Sequence, residues 1–432
     1  MKRTLFLVSS TVILACGISF AQAGRPEFVP APLNSASAAA IPAHPSPNNY
    51  PGVEFPRIEA DYRVTFHFKA PDAQKVQVSI NNTPFDMVKG DDGVWTYTSE
   101  PQPFGYHNYW MLVDGAMVLD PATNVYIGYG HSCNGFEVSE PGVDFYSLKD
   151  VPHGNVLIKN YFSKTANAWR HIFIYTPPGY EANASTRYGV LYLQHGGGED
   201  ERVWTEMGFT NRILDNLLAE GKIKPFIVVM ETSAVGPPVP MPTFNGPVGS
   251  GTRVPSPGGM AASMSHAAAA YGELMVNDLI PWVDSNFRTL ADRDHRAMAG
   301  LSMGGMMTST VTTTHLDKFS NIGLFSGGTL GSGPRPGGPG GPVPGAAQPP
   351  PTLDLKNSLN GVMADPAEFN KKVHVYFFSC GSVERPENLL THQQQLIAAG
   401  ITNSYVYISP GTAHEWQTWR RSLYAFSQLL FK

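Results

Sequence analysis

Cysteine is scarce in this chain: three residues in 432, at Cys16, Cys133 and Cys380. So few exclude a disulfide framework and a cysteine-rich zinc site, and none of the three sits in a histidine-partnered thiol motif. Charge is scarce as well. Charged residues make up 15% of the chain and the net charge is -5, which removes the basic footprint expected of a nucleic-acid binder. Beyond Phe20 no apolar run is long enough to span a bilayer. Glycine and proline, in contrast, are abundant at 43 and 37 residues and imply long loops. Seven Trp and eighteen Tyr offer flat surfaces suited to sugars or aromatic groups, although most are expected in the core.

The N-terminus carries an address. Lys2-Arg3 precede an apolar run from Thr4 to Phe20, and Ala21-Gln22-Ala23 supplies a small-residue cleavage site, so residues 1–23 are expected to be a signal peptide and the protein secreted or periplasmic. Lipid attachment at Cys16, after Ile13-Leu14-Ala15, is the competing expectation. Residues 24–50 are rich in Pro, Ala, Ser and Asn without a period and read as a flexible leader. With Cys16 removed, Cys133 and Cys380 read as small buried hydrophobes.

The pattern changes at about residue 51. Val64, Phe66 and Phe68 alternate with Arg63, Thr65, His67 and Lys69; Val76, Val78 and Ile80 repeat the alternation, and Asp91-Asp92-Gly93 leads into Val94-Trp95-Thr96-Tyr97. Short alternating strands between turn signals predict an all-β immunoglobulin-like sandwich over residues 51–148. Trp95, Trp110 and Tyr126 would stack on polysaccharide if exposed, and fill the core or a domain interface if not.

Residues 149–432 read as an α/β-hydrolase domain. Its most informative stretch is Gly300-Leu301-Ser302-Met303-Gly304-Gly305, a G-x-S-x-G pattern in which small neighbours let a serine project from a sharp strand-to-helix turn. An ordinary glycine-rich turn would look the same until partners are found. Upstream, the apolar run Val190–Gln194 enters His195-Gly196-Gly197-Gly198, whose bare backbone can approach a substrate oxygen. The expected oxyanion donors are the amides of Met303 and of Gly196 or Gly197; His195 is read as structural. Downstream, the apolar run Val373–Phe378 leads to Glu384, the expected acid, with Glu387 one turn away as the rival. The run Ser404–Ile408 leads to His414, the expected general base. All three follow strand signals, which would gather them on loops at one edge of a parallel sheet.

From about Asp150 onward, the chain resembles the carbohydrate esterase family 1 enzymes, the feruloyl and acetylxylan esterases of the esterase D type. The likeness rests on Arg170–Tyr180, Leu191–Asp200, Val276–Pro281, Gly300–Gly305, Cys380-Gly381 and Ala413-His414. One departure is Glu384, where the family usually carries Asp. Phe55–Val138 resembles the family 48 carbohydrate-binding module, chiefly through Gly105–Trp110, Val113-Asp114-Gly115 and Asp120-Pro121. The resemblance implies a secreted serine esterase that removes feruloyl or acetyl groups from arabinoxylan or its oligosaccharides, without metal or organic cofactor. Two alternatives stand beside it. A siderophore esterase would favour a basic cleft, and no basic cluster lies near the motifs. A glycan-binding protein with an inactive hydrolase half would have no use for the ordered Ser, Glu and His. The Pro/Gly-rich segments 235–259 and 328–351 leave the sheet at the expected catalytic edge; loops so long are read as functional or disordered, with mobility expected over Pro334–Pro350 and substrate gating the second reading there.

Overall fold

The structure, a computed structural model, describes residues 39, 41–235, 257–327 and 353–432. The expected signal peptide and most of the leader lie outside the described residues, as do 236–256 and 328–351 of the two Pro/Gly-rich segments.

The N-terminal region is a β-sandwich whose named strand pairs are all antiparallel. A five-stranded sheet contains Val64–Lys69 and Val94–Thr98; a six-stranded sheet contains Val76–Ile80, Gly105–Val113, Val125–Gly128 and His131–Val138. The alternation read in the sequence is the cause: Val64, Phe66, Val76 and Val78 are fully buried between the sheets, together with Tyr109, Met111 and Phe136. Full burial of such side chains contributes roughly 1.5–3 kcal/mol each before conformational entropy is set against it. The last residues of the expected leader are ordered into this sandwich. His44–Pro45 pairs with Arg57–Ile58, and Asn48 donates to the Tyr126 hydroxyl at 2.7 Å. The pairing is too short to leave a period in the sequence.

The C-terminal region is built on an eight-stranded sheet. Its strands are β1 (Asn155–Ser163), β2 (Ala168–Thr176), β3 (Gly189–Gln194), β4 (Phe226–Glu231), β5 (Arg296–Leu301), β6 (Asn321–Phe325), β7 (Val375–Gly381) and β8 (Ser404–Ser409). They lie in the order β1-β2-β4-β3-β5-β6-β7-β8; the β1–β2 and β2–β4 pairs are antiparallel and the remaining pairs are parallel. Strands β3 to β7 are buried throughout, as expected of a parallel sheet covered on both faces. The helix Pro257–Leu274 packs on one face through Tyr271 and Leu274. On the other lies Trp416–Ser427, every residue of which is buried.

A helix buried all round must dispose of its charges, and this one carries Arg420 and Arg421. Both find carboxylates in the sandwich region. Arg420 Nη1 and Nη2 donate to the two oxygens of Glu137 at 2.6 and 2.9 Å, and Arg421 Nη2 donates to Glu140 at 2.6 Å. Tyr106, Trp110, Tyr126 and Cys133 of the sandwich join the apolar cluster around this helix. The two regions therefore share a core.

Candidate active site

β5 delivers Ser302 to the sheet edge in a conformation few residues adopt, with φ at 51° and ψ at -114°. Holding a non-glycine residue there costs on the order of 1–3 kcal/mol, which the surroundings must over-determine. Here the Ser302 amide donates to Phe325 O at 2.8 Å. The flanking glycines are steric necessities: a Cβ at Gly300 would lie 2.5 Å from the Gly304 backbone, and one at Gly304 would lie 2.5 Å from His195 O. Ser302 then caps the helix Met303–Thr314, whose N-terminal dipole faces the site.

The serine, the histidine and the glutamate are brought together. His414 Nε2 lies 2.9 Å from Ser302 Oγ, and His414 Nδ1 lies 2.6 Å from Glu384 Oε2. With Nδ1–H donating to the carboxylate, Nε2 is left to accept the serine proton. The second oxygen of Glu384 accepts from the Gly381 amide and the Ser326 hydroxyl, both at 2.8 Å. Burial alone would push this carboxyl up, but the His414 contact and these two donors outweigh it and hold its pKa below the usual range. Glu387 is exposed at the start of the helix Glu387–Ala398.

Two further side chains of this assembly escaped the sequence reading. Trp419 donates to Ser326 Oγ at 3.1 Å and sets its ring edge against His414, with centroids 5.1 Å apart. Ser326 directly follows β6 at the catalytic edge, a position that could have flagged it. Trp419 carried no such signal, because its helix lies far along the chain from β6.

The oxyanion loop is arranged differently from the simplest expectation. The Gly196 amide already donates to Glu199 Oε2 at 2.8 Å, so the amides of Gly197 and Met303 remain the candidate pair. Burial pushes the Glu199 carboxyl up to about 8, against the Gly196 amide, which favours its charged form. His195 is buried and structural: Nδ1 meets Gly196 O at 2.7 Å, and Nε2 accepts from the Ser233 amide at 3.2 Å.

A cavity of about 590 Å³ opens over Ser302, within the range of small-molecule sites. One wall is Ser302, Met303, His414 and Trp416; the facing wall is Asn108, Gly128 and Tyr129 of the sandwich. A backbone hydrogen bond joins the two walls, Gly130 N–H to Gly198 O at 2.8 Å. Gly198 has φ at 76°, and a Cβ there would lie 2.7 Å from Gly130 N. No Lys or Arg lines this cavity among the described residues.

Of the two readings open for the sandwich aromatics, burial is the one found. Trp95, Trp110 and Tyr126 are all buried, Trp95 in the sandwich core and the other two in the shared core, because their apolar area is worth more there than in water. Cys133 and Cys380 are buried and free.

Residues 163–336 match the family model described as Esterase, putative esterase. An endo-1,4-beta-xylanase/feruloyl esterase of Xylanibacter ruminicola is 35% identical over 397 residues, which is 90% of this chain and 47% of that protein. The chain spans less than half the length of the curated relatives it matches. Among solved structures, an enterobactin esterase from Shigella flexneri superposes with a TM-score of 0.54 at 15% identity, covering 85% of this chain and 92% of that one. A feruloyl esterase module from Clostridium thermocellum, complexed with sinapinate, gives 0.47 at 22% identity, covering 68% and 93%.

Proposed function

The chain carries a domain of the putative esterase family, a family of carboxylic ester hydrolases, and from that premise we propose that it removes feruloyl or acetyl groups from plant cell wall xylan. The observation that carries the reading is the continuous hydrogen-bond chain from Ser302 Oγ through His414 to Glu384. Ser302 Oγ attacks the ester carbonyl as its proton passes to His414 Nε2. The oxyanion rests on the amides of Met303 and Gly197, and Glu384 stabilises the imidazolium. The C–O bond to the sugar breaks as Nε2 returns the proton to the departing oxygen. Water, deprotonated by the same nitrogen, then attacks the acyl-enzyme, and the acid leaves as the acyl C–Oγ bond breaks and Nε2 returns the proton to Ser302 Oγ.

The polysaccharide substrate is supported by the relative named as a xylanase and feruloyl esterase, and by a cavity whose lining includes the exposed ring of Tyr129. Among the described residues that lining carries no Lys or Arg, which gives an anionic ferric siderophore less support than a neutral sugar ester. Export, signalled by residues 1–23, belongs to the same proposal, since xylan lies outside the cell. The deciding experiment measures free ferulate and free acetate released from native arabinoxylan, with Ser302→Ala as the control. If the protein released neither and instead cleaved a ferric tris-catecholate, the xylan reading would be lost and the esterase reading kept.

A further inference from the structure

The sandwich wall of the Ser302 cavity, at the seam between the two regions, carries polar side chains that the proposed ester chemistry leaves unused. Asn81, His107 and Asn108 all line it. The first two are spent on each other and on the backbone: Asn81 Nδ2 donates to His107 Nδ1 at 2.9 Å, His107 Nε2 donates to Pro103 O at 2.8 Å, and Asn81 Oδ1 accepts from the Asn108 amide at 3.1 Å. Asn108 differs. Its Oδ1 accepts from Tyr106 Oη and from Cys133 Sγ, both at 3.0 Å, whereas Nδ2 has no partner among the described residues. Asn108 is only 8% exposed, so this is a nearly buried donor whose remaining opening is the cavity.

Two donors fix which end of the amide is which. Burial pushes the Cys133 thiol up to about 12 and the Tyr106 hydroxyl well above its ordinary value, so both keep their protons and the amide oxygen faces them. The nitrogen is then left open by a missing side chain. Gly128 lies beside it, where a Cβ would come within 2.9 Å of Nδ2. Gly135, across the ladder from Asn108, is bare for a related reason, since a Cβ there would overlap the Tyr106 hydroxyl. The Asn108 backbone is pinned as well, its N–H and C=O both bonded to Asn81. A donor held this firmly is presented at a fixed point, which is what selective recognition requires.

We propose that Asn108 is a specificity-determining residue for the acyl group, its Nδ2 donating to an oxygen on an aromatic ring which that group carries. An ester carbonyl at Ser302 faces this wall from the other side of the cavity. An acetyl group ends one carbon beyond the carbonyl and has no further oxygen to offer. A hydroxycinnamoyl group extends across the cavity, finds apolar contact at Met303, Met306 and Tyr129, and ends in methoxyl or hydroxyl oxygens that accept a hydrogen bond. The sugar belongs at the mouth, because it must rejoin its polymer there, and Tyr129 is 45% exposed beside it. The free donor stands on the structure alone; naming an acyl group as its partner rests on the ester reading. Within that reading, the sandwich selects feruloyl over acetyl.

The test is calorimetric titration of full-length Ser302→Ala, which holds esters without cleaving them. Methyl 3-methoxycinnamate and methyl 4-methoxycinnamate each add one purely accepting oxygen to methyl cinnamate. At least one of them is expected to bind about fivefold to tenfold more tightly than methyl cinnamate, the worth of one hydrogen bond. Adding Asn108→Asp keeps an oxygen for Tyr106 and Cys133 but replaces the donor by an acceptor; adding Gly128→Ala instead leaves Asn108 in place and sets a methyl against Nδ2. Either change is expected to erase the preference. Should Asn108→Asp melt far below its parent, Gly128→Ala decides. Equal binding of all three esters, or a preference that survives both changes, overturns the proposal. So does an Asn108→Asp effect on feruloylated arabinose that methyl ferulate does not share, since that would place Asn108 on the sugar. The titration needs no turnover, so failure of the wild type to hydrolyse any of these esters would remove the ester reading and leave the binding result readable.

Discussion

The two walls of the Ser302 cavity are assembled in contrasting ways. One takes Ser302 and His414 from the ends of parallel strands, with Glu384 behind them, and each residue sits a few positions after a buried apolar run. The other takes Asn108, Gly128 and Tyr129 from a sandwich region more than fifty residues ahead of the oxyanion loop. The first wall is dictated by local geometry, since strand ends in an open parallel sheet meet at one edge. The second depends on how two regions dock. Its registration is held by buried ion pairs and a backbone hydrogen bond. A region joined in this way is part of the site and more than a tether.

Perturbing the first wall should have the largest consequences. Ser302→Ala is expected to lower kcat by about 10⁴-fold or more with the melting temperature retained, leaving only the residual rate supplied by the oxyanion amides and binding. Failure of a serine-directed phosphonate to label the wild-type protein would contradict it. Glu384→Gln keeps the packing but removes the charge behind His414, and should lower kcat by roughly 10²- to 10⁴-fold. Glu387→Gln should do little; a reversal between the two would mean that the carboxylate is wrongly assigned.

The seam comes next. Arg420→Met strands Glu137 without its cation and is expected to lose about 3–5 kcal/mol in urea unfolding, whereas pairing it with Glu137→Leu should recover much of that loss. If the single change were silent, the two regions would not be energetically joined. Removing residues 24–150 would strip Arg420 and Arg421 of both carboxylates, so the truncated protein should unfold at a lower temperature than the full chain, which a purely tethered module would not predict.

Glu199 tests the oxyanion loop through pH. Its folded pKa of about 8 lies above the ordinary 4.5. Between those values the unfolded chain has released the proton that the folded chain retains, so stability falls as pH rises through this window. Ionisation above about 8 also places negative charge beside the developing oxyanion. The kcat of the wild type should therefore decline on the alkaline side by roughly threefold to tenfold, about 1 kcal/mol, and Glu199→Gln should flatten both profiles. The smallest effect is expected on the sandwich wall. Tyr129→Ala should raise KM for feruloylated oligosaccharides by a few fold, on the order of 0.5–1.5 kcal/mol, and affect methyl ferulate less.

Much of this molecule is legible in its residues alone. The alternation at Val64–Phe68 and Val76–Ile80 places apolar side chains on one face of a strand, and the sandwich core forms from those same residues. The continuous apolar runs before Ser302 and Glu384 predict buried parallel strands, because such runs fit only where both faces are covered. The glycines around Ser302 announce a turn too tight for any Cβ, as the 2.5 Å approaches at Gly300 and Gly304 bear out. In each case the signal is local, carried by residues within one turn or one strand.

Only the tertiary structure decided the rest. That the Gly196 amide is taken by Glu199, that Ser326 and Trp419 stand behind the Glu384–His414 pair, and that Trp110 and Tyr126 face a shared core depend on contacts between residues 3 to more than 200 positions apart. Burial of Arg420 is the sharpest instance. Nothing near it in the sequence signals that Glu137, 283 positions earlier, will neutralise it. Periodicity reports which face of an element is apolar; it does not report which distant charge will meet that face, because such pairing is fixed by docking and carries no local pattern.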